Sequence, residues 1–437
     1  MLKKLFTNRS SFVIFIAKRS AFIQSNADLG DEMKLLNDNK QFEKALDLFN
    51  KYKTKSNEQY SNWSIIQALR ACTEIGDLHC GSNIHNLVSS RLKYDPYILP
   101  SLIHFYMQCG DVNRAQSLFD TSTNKTLFIY GAMMKGYIKN KLANKAIDLF
   151  KQIKSPDKVI FVLLFNACAQ LGTNETLNLV KHVSSNIPKK FYSDTYILTS
   201  LIDVLMTCGD QTYAQLLVEN SKIKTLPMYA AMMKGYIKNN CSNKAIDLFK
   251  QIKNPNEIII NLFFNACAQL GTDEALNLIK NVSSNIPKTF YSNRYIVTSL
   301  LDGLIKCGDI KSAQTFFETC QIKTLSMYGT MMKGFNINNM ATETVETFNQ
   351  IHHDQFYTEN NHLYSKKGID YFEQNVIIYL CVIKALAKIA ILSTSQSIAQ
   401  RIPTSYLTHR QIQNALIDMW VCSRTFALCA FVFLKNN

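Results

Sequence analysis

A unit of 99 residues recurs three times in this chain, and that period constrains its fold more than any other feature. It steps from Tyr130 to Tyr229 to Tyr328. The segment YGAMMKGYIKN at 130–140 returns as YAAMMKGYIKN at 229–239 and, eroded, as YGTMMKGF at 328–335. FNACAQLGT at 165–173 and 264–272 and the series Cys109, Cys208, Cys307 keep the same spacing. A fixed period of this kind specifies stacked supersecondary units, because each unit buries its apolar face only against its neighbours.

Each long period divides into shorter units, at about 127–157, 158–194 and 195–225, and every one reads as two helices. In the first, Tyr130, Met134, Tyr137 and Ile138 fall on one helical stripe. After a short polar turn, Ala146, Leu149, Phe150 and Ile153 make a second stripe at i, i+3, i+4, i+7. Gly110-Asp111, Gly209-Asp210, Gly308-Asp309, Gly172-Thr173 and Gly271-Thr272 each pair a helix-ending glycine with a helix N-cap. Strand alternation is absent.

The array extends both ways. MKLLNDNKQFEKALDLF at 33–49 matches 134–150, IIQALRACTEIG at 65–76 matches the middle unit, and SLIHFYMQCGD at 101–111 the third. Downstream, VIKALAKI at 382–389 and NALIDMWVC at 414–422 are decayed middle and third units. The expectation is an all-α solenoid, a right-handed superhelix of about twelve helix-turn-helix repeats from Asp28 to the last residue. Its clear copies run about 127–225 and 226–324, and HHDQFYTENNHLYSKKGIDYFE at 352–373 reads as a surface loop.

Function classes narrow from composition. A 437-residue chain with 8 prolines, 15 glycines and 47% hydrophobic residues buries an extended core. Its formal charge of +15 and pI of about 9.1 favour a polyanionic partner, nucleic acid above all, over a merely solvated basic surface. No apolar run reaches the length of a membrane span. Residues 1–27 contain Lys3, Lys4, Arg9, Lys18 and Arg19, several serines, an apolar segment and no acidic residue, the profile of a mitochondrial presequence. The rival is a secretory signal with FVIFIA at 12–17 as its core, but basic residues flank it on both sides. Cys168, Cys267, Cys109, Cys208 and Cys307 recur at fixed repeat positions, which reads as small buried packing residues rather than disulfides.

NALIDMW with the following Cys422, the CGD turns with Ala115, Ala214 and Ala313 soon after, NACAQLG, and GSNIH at 81–85 together resemble the pentatricopeptide repeat family. They are similar in particular to its P-L-S triplet subclass, best known from plant organelles. The resemblance covers nearly everything after residue 27. Tetratricopeptide repeats would show a Trp, Leu-Gly, Tyr series in the first helix, which is missing. The resemblance implies binding of single-stranded organellar RNA, about one base per repeat, through side chains on each first helix and at each motif end.

Helical spacing supplies a face of its own. Gly131, Lys135 and Lys139 share one line, as do Ala230, Lys234 and Lys238, and Gly329 and Lys333. The small residue admits a base or backbone, and the lysines meet phosphates in a salt-sensitive, sequence-blind way. The positions at which the resemblance places base selection are Gly30, Gly131, Ala230 and Gly329 in P-type units and Pro100, Thr199, Thr298 and Asn414 in S-type units. Only the last three carry a polar side chain. At the motif ends, Asp157 and Asn256 fit the family pattern, whereas S-type units end in Thr126, Thr225 and Thr324.

Catalysis is not expected of this chain. No two cysteines lie three apart and no histidine is followed two residues later by Glu, so the zinc deaminase chemistry appended to plant relatives has no ligands here. No acidic cluster of a metal-dependent nuclease follows the repeats, and no cofactor, metal or small-molecule substrate is implied. The rival reading is a scaffold whose groove takes a peptide or protein. A protein partner is also expected at the apolar end FALCAFVFLKNN, 426–437, which lacks a polar capping repeat.

Overall fold

A computed structural model of the chain describes residues 29–55, 60–89, 97–351 and 366–422. Among the described residues there is no strand. The segments 1–27 and 426–437 lie outside the described residues.

Two compact units form, Met1–Cys208 and Gly209–Asn437. The first holds α1 (29–38), α2 (Phe42–Lys55), α3 (Asn62–Ile75), α4 (Leu78–Val88), α5 (Ile98–Gln108), α6 (Val112–Thr121), α7 (Leu127–Lys139), α8 (Ala143–Phe150), α9 (Lys158–Leu171), α10 (Asn174–Asn186) and α11 (Thr195–Thr207). The second holds α12 (Gln211–Asn220), α13 (Leu226–Lys238), α14 (Ser242–Lys250), α15 (Glu257–Leu270), α16 (Asp273–Asn285), α17 (Arg294–Lys306), α18 (Ile310–Thr319), α19 (Leu325–Ile337), α20 (Ala341–Asn349), α21 (Lys366–Ile389), α22 (Leu392–Ala399), α23 (Thr404–Leu407) and α24 (Arg410–Cys422).

Helix starts follow the period. Thr126, Asp157 and Asp194 cap α7, α9 and α11, and Thr225, Asn256 and Asn293 cap α13, α15 and α17, each side chain accepting from a backbone N–H of the first turn. The turn glycines behave as the sequence predicts: Gly172 sits at φ 63° and donates its N–H to Cys168 O at 2.9 Å, and Thr173 then caps α10. The matching turns of the units that open on Tyr130, Tyr229 and Tyr328 instead hold Lys141, Asn240 and Asn339 at φ 60°, 58° and 59°. A left-handed residue is needed there, and these units supply it without glycine.

Within each unit the first helices of successive hairpins pack side by side, α5 on α7 on α9 on α11, and α13 on α15 on α17 on α19 on α21. Second helices lie against both flanking first helices: α4, α6, α8 and α10 in the first unit, and α14, α16, α18 and α20 in the second. Glycine sets the spacing where α7 meets α5: a Cβ on Gly136 would stand 2.2 Å from Met107 Cγ. Ile129, Met133, Met134, Tyr137, Phe165 and Cys168 fill the layer. The middle unit is longer, and a 3₁₀ turn at Lys189–Ser193, repeated at Lys288–Ser292, takes up the excess. Tyr192 and Tyr291 pin these turns by donating to Ser184 O and Ser283 O.

Two expectations need correction. The surface loop does not reach residue 373, because α21 begins at Lys366. The buried stripe Val376, Tyr379, Val382, Ile383, Leu386 nucleates this helix, and extending a formed helix toward its N-terminus costs little. Of the cysteines, Cys168 and Cys267 are fully buried and burial pushes both thiols up to about 12, but Cys109, Cys208 and Cys307 are the C-cap residues of α5, α11 and α17, the first two only half-buried.

Candidate nucleic-acid interface

In α7 through α19, the second, fifth, ninth and thirteenth residues of each first helix fall within about 80° of one another at 100° per residue, so on each helix they share one face. At the ninth position, α7, α9 and α11 place Lys135, Asn166 and Asp203, and α13, α15, α17 and α19 place Lys234, Asn265, Asp302 and Lys333. Lys135, Lys234 and Lys333 are exposed, as are Lys139 and Lys238 one turn on. Within the second unit the lysines are therefore not continuous: α17 interposes Asp302 between Lys234 and Lys333. In the second unit Lys306 pairs with Asp302 at 2.7 Å. Lys139 donates to Gln108 O at 2.6 Å, which fixes its ammonium over the end of α5.

At the fifth position the predicted residues differ in fate. Gly131 is half-buried, and a Cβ there would lie 3.9 Å from Ile160 Cδ1 and Leu163 Cδ1. Gly329 does not open onto the face. It is buried beneath α21, where a Cβ would stand 3.5 Å from Ile378 and 3.6 Å from Ile377, so its smallness serves helix packing rather than approach of a base. Ala230 is half-buried and Asn414 exposed. Thr199 and Thr298 both donate their hydroxyl protons at 2.7 Å to the backbone one turn earlier, Thr195 O and Arg294 O. Only their oxygen lone pairs remain, so they can accept from a base but not donate. Asp157 and Asn256, at the motif ends, spend one oxygen on Ile160 N at 2.9 Å and on Ile259 N at 3.1 Å. Both residues stay exposed.

Three features of the face escape a reading confined to lysines and P- and S-type positions. Asn261, half-buried at the fifth position of α15, carries a full amide where its copy carries Val162. Extending the register to the middle units finds it. The second position forms an exposed apolar row: Phe128, Val159 and Tyr196 in the first unit, 67%, 53% and 76% exposed, and Ile258 and Tyr295 in the second. Tyr97 and Phe128 hold their rings 6.3 Å apart, and the Arg294 guanidinium lies 5.0 Å from the Tyr295 ring centre. Val159 and Ile258 repeat 99 residues apart, as Tyr97, Tyr196 and Tyr295 do, which is the signal that would have exposed the row, whereas Phe128 is replaced by Pro227 and Ser326 in the later copies. Finally, α5 brings His104 alongside Lys135 and Lys139. Burial first, and then these two ammonium groups, push its imidazole down to about 4.

The face can therefore stack planar groups along one edge and meet anions along the other, about 10 Å away at 1.5 Å per residue. Among the described residues no group of three or more His, Cys, Asp or Glu could hold a metal, and no helix is long and apolar enough to cross a membrane.

A family model described as the PPR repeat matches residues 128–155 and 227–254. A mitochondrial pentatricopeptide repeat-containing protein of Arabidopsis thaliana is 26% identical over 318 residues, 71% of this chain and 46% of the relative. A second from the same plant is 27% identical over 327 residues, covering 71% and 39%, and a chloroplastic one 26% over 368 residues, covering 82% and 40%. The chain spans about half the length of these relatives or less. Among solved structures, the pentatricopeptide repeat protein PPR10 in complex with an 18-nt psaJ RNA element aligns with a TM-score of 0.49 and 15% identity, over 89% of this chain and 61% of that one.

Proposed function

We propose that this chain, a pentatricopeptide repeat protein, binds single-stranded RNA along its first-helix face and acts in the processing, modification or stability of organellar transcripts. The observation that carries the reading is the pair of rows on that face. Exposed Phe128, Tyr196 and Tyr295 offer stacking surfaces that every base can use and Val159 and Ile258 offer apolar contact, while Lys135, Lys139, Lys234, Lys238 and Lys333 offer charge to phosphates.

Base selection is sparse. Gly131 and Ala230 offer no polar group and Gly329 is covered, so discrimination falls to Thr199, Asn261, Thr298, Asn414 and the capping residues Asp157 and Asn256. With few bidentate contacts at about 1–3 kcal/mol each, affinity exceeds specificity. The 99-residue triplet supports assignment to the P-L-S subclass. The basic, acid-free profile of 1–27 supports the mitochondrion as the compartment. The chain's own part is binding, and a protein partner supplies catalysis.

Cross-linking the protein to total mitochondrial RNA and sequencing what is retained tests this reading. Recovery of single-stranded segments, lost when the five lysines are changed to Glu with helicity unchanged, is the expected result. Equal recovery by both forms, or recovery of peptides alone, would show that the face is a protein-binding groove.

A further inference from the structure

The α5–α7 step carries a feature that no other step among the described residues repeats. His104 occupies the place on α5 that Asp203 occupies on α11, as the alignment of SLIHFYMQCGD with SLIDVLMTCGD shows. Gln108 lies one turn beyond it, and the Lys139 ammonium bonds to Gln108 O at 2.6 Å, while Asn140 Nδ2 donates to Met107 O at 2.8 Å. The two helices are thereby locked in register, with Lys139 past His104 and Lys135, one turn earlier on α7, beside it. The imidazole is half-buried and makes no hydrogen bond among the described residues, and Lys135 has no carboxylate partner among them.

We propose that His104, Lys135 and Lys139 form an anion subsite that takes one phosphodiester of a single-stranded RNA, with His104 acquiring a proton as the phosphate binds. This inference rests on the RNA-binding reading above. Two ammonium groups at the edge of an apolar layer, with a ring that can donate one hydrogen bond and accept a proton, match the charge and lone pairs of a phosphodiester better than those of a neutral ligand. The groups that face His104 decide the sign of its pH response. From α7 they are Lys135 and Lys139, both repelling a third positive charge. On α3, Arg70 is already paired with Asp38 at 2.8 Å. His85 of α4 and Arg114 of α6 instead engage Tyr106, two residues on and so on the opposite side of α5, and Asp111 caps α6.

In the free protein the ring is neutral at pH 7, its value being depressed to about 4 from an ordinary 6.5. A bound phosphate cancels the ammonium repulsion but not the burial, so it raises that value part of the way; the bound state holds more protons and affinity increases as pH falls from 7.5 to 5. Full return to the ordinary value would give roughly 30-fold, and because burial persists the expected gain is smaller, several-fold.

The test is fluorescence anisotropy of oligouridylate, whose base does not titrate in this range, with the full chain and its His104→Gln variant at constant ionic strength. Binding that strengthens several-fold between pH 7.5 and 5 in the parent, and stays flat in H104Q, supports the subsite. Equal pH dependence in both overturns it while leaving RNA binding standing. If neither form binds RNA, the functional reading fails, and the subsite is judged by the His104 ring resonance in histidine-labelled protein titrated with inorganic phosphate: an upward shift of its titration supports the anion site, and an unmoved one overturns it.

Discussion

Alanine placed at Gly131 and at Gly136, two positions on one helix, should change stability in opposite directions. Removing a glycine from a helix interior is worth about 1 kcal/mol in propensity. At Gly131 nothing opposes that gain: the new methyl would meet Ile160 Cδ1 and Leu163 Cδ1 at 3.9 Å, ordinary contact distance. At Gly136 it would stand 2.2, 2.4 and 2.6 Å from Met107 Cγ, Cβ and Sδ, and Met107 is fully buried. The Met107 Cβ cannot rotate away, so the clash is resolved only by separating α7 from α5, at an overpacking cost of about 1–3 kcal/mol toward the upper end. G131A should therefore gain up to about 1 kcal/mol and G136A lose about 1–2 kcal/mol. Urea denaturation followed by circular dichroism reads both. Two variants that shift the midpoint in the same direction would refute the packing argument.

Further expectations follow from single residues. Asp157→Ala removes the cap of α9 and should cost about 1 kcal/mol in a thermal melt, with Asp157→Asn nearly neutral. Asn261→Val, which restores the residue of the first copy, should leave affinity for mixed RNA almost unchanged but flatten competition between homopolymers; an unaltered ranking would remove Asn261 from the reading. Burial raises the Asp309 carboxyl, but bonds from Lys280 at 2.6 Å and from Ser312 outweigh it and hold the group below its ordinary range. A folded value under the unfolded one contributes stability above the ordinary carboxylate range and loses it as pH falls through the folded value. Asp309→Asn should accordingly flatten the acid limb of a stability–pH curve.

Most of the architecture was legible because the period repeats its own punctuation. Thr126, Asp157, Thr173 and the Gly-Asp turns announce helix ends by chemistry that acts over four residues, and a local signal needs no knowledge of the neighbours. The face was harder. Lys135 and Lys139 are visible as an i, i+4 pair, but whether Gly329 is open or covered depends on Ile377 and Ile378, some fifty residues away across an insert that breaks the period. Thr199 and Thr298 are legible as polar side chains, but only the structure shows their protons committed to the preceding turn. The start of α21 was missed for the opposite reason: its first turns carry no apolar stripe and are helical because a buried stripe lies downstream.

The central claim, that this face holds an RNA backbone, is tested most directly by the salt dependence of binding. Anisotropy of a single-stranded RNA should be measured against potassium chloride concentration for the parent and for a form with Lys135, Lys139, Lys234, Lys238 and Lys333 changed to Gln. With a slope of about 0.7 per phosphate neutralised on single strands, five contacts account for roughly 3.5 in the slope of log affinity against log salt. The account predicts that the variant loses most of that amount while remaining helical. A slope unchanged within error, with affinity intact at low salt, would contradict it.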